Sequence, residues 1–561
     1  MKKLIKEISV ILCIAMLMSF LPQMSFAQCA GTVYYVDSLE GSDQNCGTEP
    51  QSAFATAEKL REISLEPGDK ILFKSGGIYE CNNLKICAAG SKDNPIVISS
   101  YSQGEKPLLF TNNNTEVLSV IDSSFIEISN LEITAPNGGG IWIDTLQNSS
   151  TDITLKDLTI HNIQNTKAVS RDNLSSGAAS ARACVMVKGL PANSRYPVDN
   201  LTVTGCELYD CGNGISVWGS WNDEQKPWCD EEDIDPVFNK GLYISNCSFH
   251  DMDAEALIIG ICDGARCVNC SCIDCCQNTG IVEGGNSFFT AAMWFWGSVN
   301  SSISHCEISG QKNEGDGMTC DFDSYSHYCT YEYIYSHDNV RFVNNCPQHS
   351  GHKGNTIRYC LSVNDNKAKN NLSQYCYDSN EYGIKFYNNT LVNSQEFIIE
   401  GVRDGYIANN IFYGDLNFTF RSTRKKTNDE TGEKFYDEFT GVMTNNCFFG
   451  TCIPSCSKNS IIANPSFTGS DFANPLSFRL SEKSTLLGKG VYIDGEDFEG
   501  TDIFSNPINS KENVNIGCYA GAGEKEYEKE SVIFVISKYV LTFLGKIVQW
   551  ITDCNNKYWL F

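Results

Sequence analysis

The chain has 561 residues, a net charge of −26 at neutral pH, 42% hydrophobic residues and 20% charged residues. This balance is typical of a folded globular protein and excludes a largely disordered one. An acidic surface of this size repels polyanions, so we expect no nucleic-acid partner.

The first 27 residues, "MKKLIKEISVILCIAMLMSFLPQMSFA", have a basic start, an apolar run and a small residue at each end of Ser25–Ala27. This pattern predicts a signal peptide over residues 1–27, with cleavage after Ala27. We therefore expect a secreted, extracellular protein. All but one of its 27 cysteines then enter an exported compartment.

The segment from Ser52 to Ser64 has apolar residues at helical spacing, which predicts a helix near the start of the mature chain. A repeat follows, and it is visible in "LTVTGCELYDCGNGISVWG" from Leu201, "LYISNCSFHDMDAEALIIG" from Leu242 and "SSISHCEISG" from Ser301. Each unit has short alternating strands separated by a small or polar corner residue and a turn. Units of this length predict the coils of a parallel β-solenoid over residues 28–525, with residues 28–100 forming its cap and first strands.

The repeats align on a set of cysteines taken as corner residues: Cys206, Cys247, Cys270, Cys306 and Cys360. Stacked coils place equivalent residues about 4.8 Å apart, so these cysteines should form an internal ladder. The ladder should continue into asparagines at "FYNNTLV", "IANNIFYG" and "MTNNCFFG". We expect those asparagines to hydrogen-bond to one another and to the backbone.

The opening "YYVDSLEGSDQNCGTEPQSAFATAEKL", the coils and the closing "NPSFTGSDFANPLSFRLSEKSTLLGKG" together resemble the secreted right-handed parallel β-helix proteins of the pectate-lyase-like superfamily. The resemblance extends from about Thr32 to Gly521. It implies an all-β, single-stranded right-handed parallel β-helix whose open end is capped by an N-terminal helix. It does not fix the activity, because this fold carries lyases, glycosidases, esterases and adhesins.

The last segment, residues 526–561, departs from that family. Ile533, Ile536, Val540, Phe543 and Ile547 have helical spacing and predict an amphipathic helix, in which Lys538 and Lys546 argue against a membrane span. Two roles remain open for it: peripheral membrane or cell-surface association through residues 530–551, or a cap on the last coil.

We expect the catalytic site to lie around "GDGMTCDFD", residues 315–323. Read as the third strand of a coil, it turns Met318 and Cys320 inward and Thr319, Asp321 and Asp323 outward. Trp218 takes an outward position on an earlier coil. The outward side chains of successive third strands should line one long groove. The catalytic candidates are the acids of this groove and of equivalent positions on neighbouring coils: Asp316, Asp321, Asp323, Glu255 and Glu283, the last in an inward position.

Two carboxylates about 6.5–9.5 Å apart suit an inverting glycosidase, and residues two apart on a strand are spaced by about 6.6–7 Å. We therefore expect the protein to hydrolyse a polysaccharide. We also expect it to be a monomer. A lyase is the first alternative. It would use Ca²⁺, the one cofactor the acids suggest, and a base such as Arg341, Lys353 or Lys367.

A non-catalytic glycan binder or adhesin is the second alternative. "GDGMTCDFD" followed by "YSHDN" is similar to a stretch "GDGFDLDGG" followed by "YSHDN" in secreted β-helix proteins of clostridial type. Thr319 stands where that stretch has its middle aspartate. The expected substrate-binding residues are His337, Asp338, Arg341, His349, His352 and Trp218.

The segment "CDGARCVNCSCIDCC" contains six cysteines, from Cys262 to Cys276. Strand alternation should send neighbouring sulfurs to opposite faces. We therefore expect buried free cysteines or local disulfides in place of zinc, and no metal site.

Overall fold

The computed structural model describes residues 31–163, 183–188, 195–220, 236–277, 290–315, 317–346, 352–372, 381–400, 402–421, 426–427, 434–435, 439–493, 500–508 and 512–525. The signal peptide and the amphipathic helix predicted for 526–561 lie outside these ranges. So do three candidate site residues, Asp316, Glu283 and His349.

Three parallel sheets form the body of the molecule, with 15, 13 and 8 strands. In the first sheet the strands are Val33–Val36, Lys70–Lys74, Ile96–Tyr101, Ile126–Ser129, Ser150–Lys156, Val198–Thr204, Tyr243–Ser245, Arg266–Val268, Ser302–Ser304, Thr330–Glu332, Thr356–Arg358, Lys385–Tyr387, Gly405–Ala408, Gly441–Thr444 and Ser457–Lys458.

The second sheet contains Ile78–Glu80, Leu108–Phe110, Glu132–Ala135, Thr159–Ile163, Glu207–Cys211, Ser248–Met252, Ser271–Ile273, Glu307–Ser309, Tyr335–His337, Leu361–Val363, Thr390–Val392, Ile411–Tyr413 and Cys447–Phe449. The third sheet contains Leu84–Ile86, Glu116–Ile121, Gly139–Asp144, Ala183–Val187, Asn213–Trp218, Leu257–Gly260, Met293–Trp296 and Phe322–Asp323.

Shorter ladders extend these sheets along later coils. They pair Asn239–Lys240 with Cys262–Asp263, Met318–Cys320 with Arg341–Val343, His352–Lys353 with Glu381–Tyr382 and Val402–Arg403, and Asn370–Asn371 with Phe397–Glu400 and Phe418–Arg421. Lys426–Thr427 and Lys434–Phe435 form an antiparallel pair. Because successive strands along the chain belong to different sheets, each turn of the chain is one coil of a parallel β-helix, as the repeat predicted.

The interior of the coil is filled by rows of equivalent side chains. Ile153, for example, pairs with Ile126 on one neighbouring coil and with Leu201 on the other, and all three are buried. Alternate residues of a strand face opposite sides, so one apolar residue in two is enough to build such a row. The core is therefore a stack of aliphatic and aromatic rows along the helix axis.

The corner between the first and second sheets has a constant backbone shape. The residue before each corner residue has a positive φ, for example 52° at Asn246 before Cys247 and 56° at Asn269 before Cys270. Asparagine tolerates this left-handed conformation better than most residues, and the turn it makes aims the next side chain inward. The cysteine ladder predicted from the repeat is a row of these inward corner residues.

The predicted asparagine ladder is confirmed. Asn389 Nδ2 donates to Asn410 Oδ1 over 3.1 Å, and Asn410 Nδ2 donates to Asn446 Oδ1 over 3.0 Å. The ladder also bonds to the backbone, since Asn410 Nδ2 donates to the Phe386 carbonyl oxygen over 2.9 Å. These amides are buried and fully used, which stabilises the stacking of the last coils.

The N-terminal end differs from the predicted α-helix over Ser52 to Ser64. The chain forms two 3₁₀-helices there, Pro50–Ser52 and Ala57–Glu62, separated by extended backbone at Ala53. Ala57 and Leu60 are buried against the first coil. A six-residue 3₁₀ turn is enough to bury two apolar residues, so a longer helix is not needed to cover this end.

After Lys458 the chain folds back along the outside of the β-helix. A 3₁₀-helix, Pro475–Phe478, places Phe478 against Leu361, Val363 and Val392, which face outward from the second sheet. The described residues of this return segment are not part of the apolar cluster on the outer face of the third sheet. Among the residues that the model describes, no helix is long and apolar enough to cross a membrane.

Candidate functional site

The outer face of the third sheet carries a set of large apolar side chains. They belong to neighbouring coils and pack into one cluster, which we call the aromatic face: Trp142, Met186, Trp218, Ile258, Trp294 and Trp296. Strand pairing aligns Ile258 with Trp294, and Gly260 with both Trp218 and Trp296. The outward positions of these strands therefore form two adjacent rows along the helix axis.

Trp218 lies flat over a space left by a glycine. A Cβ atom on Gly260 would lie 2.3 Å from Cε3 of Trp218, so only glycine leaves room for the ring. The ring centroids of Trp218 and Trp296 are 5.3 Å apart with planes at 73°, and Trp218 Nε1 donates to Ser216 Oγ over 3.0 Å. Edge-to-face packing and this hydrogen bond fix the orientation of the rings.

Asp323 continues the row that contains Trp218, Gly260 and Trp296, because it pairs directly with Trp296. Its Oδ1 accepts a hydrogen bond from the Ser324 amide over 2.7 Å. Burial raises the pKa of Asp323 to about 6, against the opposing effects of the Ser324 hydrogen bonds and of nearby His352. A carboxyl group with this pKa, next to a tryptophan, can give up a proton near neutral pH.

Two histidines adjoin Asp323. His352, a predicted binding residue, is buried, and its Nε2 lies 3.0 Å from the Asp323 backbone carbonyl oxygen. His327 packs edge-on against Tyr325, with ring centroids 4.4 Å apart. Burial, aided by His352 and Lys353, lowers the pKa of His327 to about 3, so this imidazole is neutral at physiological pH.

Asp321 stands two residues before Asp323, and the buried core residue Phe322 separates them. Asp321 itself lies between two strands, Met318–Cys320 and Phe322–Asp323, and only its position next to Phe322 links it to Asp323. The Asp321 backbone is held from inside the coil, since its carbonyl oxygen accepts a hydrogen bond from the Tyr331 hydroxyl over 2.9 Å. Asp321 is 5% exposed, so it is the more enclosed of the two acids.

The outward position predicted for Thr319 is wrong. Thr319 is fully buried, its Oγ1 lies 2.7 Å from Ser336 Oγ, and it accepts a hydrogen bond from Asn339 Nδ2 over 3.2 Å. The strand is interrupted at Asp321 between Met318–Cys320 and Phe322–Asp323, and the two halves pair with different coils. This break ends the regular alternation on which the prediction depended.

Glu255 lies too far from Asp323 to share a catalytic site with it. Its backbone amide donates to Asn213 Oδ1 at the start of the third-sheet strands, whereas Asp323 aligns with Gly260 at their end. Five extended residues separate these positions by about 16 Å. That distance is too large for an acid and a base acting on one glycosidic bond, so Glu255, itself buried, is not the partner of Asp323.

His337 and Asp338 lie at a strand end of the second sheet, away from the aromatic face. The His337 ring contacts Asp338 Oδ2 over 2.8 Å and Glu307 Oε1 over 3.2 Å. Burial alone would lower the pKa of His337, but these two carboxylates raise it. Arg341 donates to the carbonyl oxygens of Glu314 and Gly315, directly before the position of Asp316.

One further residue beside the aromatic face could not be found from the sequence. Lys188 follows the strand Ala183–Val187, is buried, and donates from Nζ to Ser220 Oγ over 3.1 Å. Burial lowers its pKa to about 8, while Asp144 and Asp199 act in the opposite direction. Only the pairing of Val187 with Val217 shows that Lys188 stands one coil before Trp218.

The comparisons with known proteins give the fold a wider context. No family model matches the chain. A lacto-N-biosidase of Bifidobacterium longum subsp. longum is 23% identical over an alignment of 515 residues, which covers 74% of this chain and 32% of that protein. The chain thus spans about a third of the length of this relative.

Among solved structures, the selenomethionine derivative of a GH136 lacto-N-biosidase from Eubacterium ramulus matches with a TM-score of 0.50 and 19% identity, covering 69% of this chain and 67% of that one. Pectate lyase Pel9A matches with a TM-score of 0.38 and 12% identity, covering 88% and 96%. Together, the long parallel sheets and the likeness to the E. ramulus structure show that the chain has a parallel β-helix fold.

Proposed function

We propose that this protein is a glycoside hydrolase whose active site lies at the end of the aromatic face, with Asp323 as the general acid. The observation that carries the proposal is the position of Asp323, a partly buried carboxyl group of raised pKa that pairs with Trp296. Tryptophan rings stack well on sugar rings, and a protonated carboxyl next to them can protonate a leaving oxygen.

A glycosidase needs a second carboxylate. Asp321 is the described acid nearest to Asp323 in sequence, two residues away, which limits the backbone distance between them to about 7 Å. This spacing is compatible with an inverting reaction, in which the second carboxylate activates a water molecule. Asp316, predicted from the same stretch, is the other candidate, and the guanidinium of Arg341 is bound to the backbone just before it.

The relative and the solved structure named above are lacto-N-biosidases, and this supports a glycan substrate of the type on which a lacto-N-biosidase acts. The acidic chain fits a neutral glycan better than a polyuronate, which it would repel in the absence of cations. Secretion, predicted from residues 1–27, would give such an enzyme access to extracellular glycans.

The decisive experiment compares the purified protein with Asp323→Asn, Asp321→Asn and Asp316→Asn variants on an aryl lacto-N-bioside and on a panel of glycans. We expect Asp323→Asn to lower kcat by 10²- to 10⁴-fold, the usual contribution of a general acid. One of the other two variants should show a loss of similar size. Asp210→Asn, at an exposed position of positive φ that asparagine tolerates, is the matched control.

The products distinguish the hydrolase from its alternatives. New reducing ends without ultraviolet-absorbing unsaturated sugars support hydrolysis. Unsaturated products that require Ca²⁺ would show a lyase, and glycan binding without any product would show a binding protein. A fully active Asp323→Asn variant would refute the assignment of the acid.

A further inference from the structure

Three cysteine sulfurs meet inside the β-helix at the corner between the first and second sheets. The Sγ atoms of Cys267, Cys270 and Cys306 all lie within 4.8 Å of one another, and all three residues are buried. Cys267 reaches the interior from the strand Arg266–Val268. Cys270 and Cys306 are corner residues of neighbouring coils, joined by a hydrogen bond from the Glu307 amide to the Cys270 carbonyl oxygen.

This arrangement differs from the sequence expectation that neighbouring sulfurs would point to opposite faces. That expectation assumed one continuous strand. The positive φ of 56° at Asn269 turns the chain between Cys267 and Cys270, so both side chains enter the same interior space from two directions. The coil then stacks Cys306 beside them.

The surroundings of the sulfurs are apolar. Ile244 and Ile303, on the neighbouring coils, pair with Cys267 and are fully buried. The thiols interact with one another: hydrogen bonds from Cys267 and Cys270 lower the pKa of Cys306, and the hydrogen bonds that Cys267 makes to Cys270 and Cys306 raise its own pKa, as does burial.

A ligand set of three buried sulfurs, with no oxygen or nitrogen among the ligands, suits soft metal cations that have a filled d shell. Thiolate ligands select Zn²⁺ and Cu⁺ over hard cations, and structural zinc sites take four such ligands. A fourth sulfur stands next in the ladder, since Cys247 precedes Cys270 as a corner residue and the Ser271 amide donates to the Cys247 carbonyl oxygen. Within the part of the chain that the model describes, no other group of three metal-binding side chains is this close together.

We propose that Cys267, Cys270 and Cys306 bind one thiophilic d¹⁰ cation: Cu⁺ through the three thiolates as they stand, or Zn²⁺ once the Cys247 side chain turns toward them as a fourth ligand. Binding replaces the thiol protons, which are released to solvent, and no electron is transferred. Because the three thiols are buried, the cation would enter as the chain folds and would cross-link neighbouring coils. This role is structural and does not depend on the proposed glycosidase.

The test uses the full mature chain, produced in media supplemented with either zinc or copper and purified anaerobically. Metal content is measured by mass spectrometry of the native protein and by elemental analysis. We expect close to one ion per chain, and at least a fivefold loss in Cys270→Ser and Cys306→Ser. Cys447→Ser changes another buried cysteine, at a distant coil, and should retain the ion.

The other possible results also support or overturn the proposed metal site. Protein free of metal from both media, with the three thiols alkylated after unfolding or joined in a disulfide, would overturn the proposal, as would equal metal content in all variants. If the serine variants do not fold, Co²⁺ supplied to the wild-type chain during production replaces that comparison. Strong thiolate-to-cobalt absorption supports the site, and its absence excludes it.

Discussion

The imidazole Nε2 of His352 lies 3.0 Å from the backbone carbonyl oxygen of Asp323. The ring of His352 also stands edge-on to Phe322, with centroids 6.5 Å apart. His352 therefore holds the backbone that carries the proposed acid and does not need to contact substrate. It is a positioning residue in this arrangement, although the sequence suggested a binding role.

Replacement of His352 should test that role. His352→Gln retains a donor of similar reach, whereas His352→Ala removes it and leaves the Asp323 carbonyl oxygen with the Ser326 amide as its remaining donor. We expect the alanine variant to lower kcat by about tenfold or more with little change in KM, and to shift the acidic pKa of the activity profile. Glutamine should restore most of the activity. A large rise in KM with unchanged kcat would instead indicate direct contact with substrate.

The pH dependence of the reaction should follow Asp323. Its pKa is raised to about 6, so the acid is protonated below that pH and loses its proton above it. We expect kcat to fall as pH rises through about 6, tenfold for each further pH unit. The measurement is a pH profile of kcat and of kcat/KM. A rate that stays constant from pH 5 to pH 8 would contradict this prediction.

The same carboxyl should make the fold less stable at high pH. A pKa raised in the folded state means that the folded chain binds the proton more tightly between about pH 4 and pH 6, so stability decreases over this interval as pH rises. Above pH 6 the buried charge costs about 1–3 kcal/mol. Asp323→Asn should therefore unfold at a higher urea concentration than the wild type at pH 7.5, and with little difference at pH 4. The opposite order at pH 7.5 would refute the burial effect.

Gly260 should be required for the tryptophan arrangement. A methyl group at this position would overlap the ring of Trp218, so Gly260→Ala should displace the ring and weaken the aromatic face. Trp218 is buried, but Trp294 and Trp296 pack edge-on against it and would move with it, so we expect KM for glycan to rise by about tenfold and tryptophan fluorescence to change. Gly139→Ala is the matched control in the same sheet, because its new methyl group meets its nearest neighbour at an ordinary 3.4 Å. Equal KM values in the two variants would contradict the prediction.

The asparagine ladder should contribute strongly to stability. Asn410→Ala removes the partners of the Asn389 amide groups and of the Phe386 carbonyl oxygen, all of them buried. Unpaired buried polar groups cost about 1–3 kcal/mol each, so we expect a loss of about 3 kcal/mol in the free energy of unfolding. Urea unfolding followed by circular dichroism measures it. The exposed Asn148→Ala should change stability by less than about 0.5 kcal/mol.

Several features of the fold could be predicted from the sequence because they are local and repeat. The corner cysteines and asparagines recur at coil spacing, and each one meets the same residue type on the next coil, as Asn389, Asn410 and Asn446 do. Asp323 of "GDGMTCDFD" likewise lies in a third-sheet strand, as the coil pattern predicted. The N-terminal helix could not, because burial of only Ala57 and Leu60 does not require a full α-helix.

The sequence by itself determined the coil, since a side-chain pattern of period two and a corner residue once per turn are sufficient to define it. Only the tertiary structure decided which residues of different coils meet. The break before Phe322 turned Thr319 into the interior, the pairing of Trp296 with Gly260 and with Asp323 set Trp296 beside Asp323, and the turn at Asn269 brought Cys267 to Cys306. The reason is that insertions between strands change the register of each coil independently, and contacts between coils depend on that register.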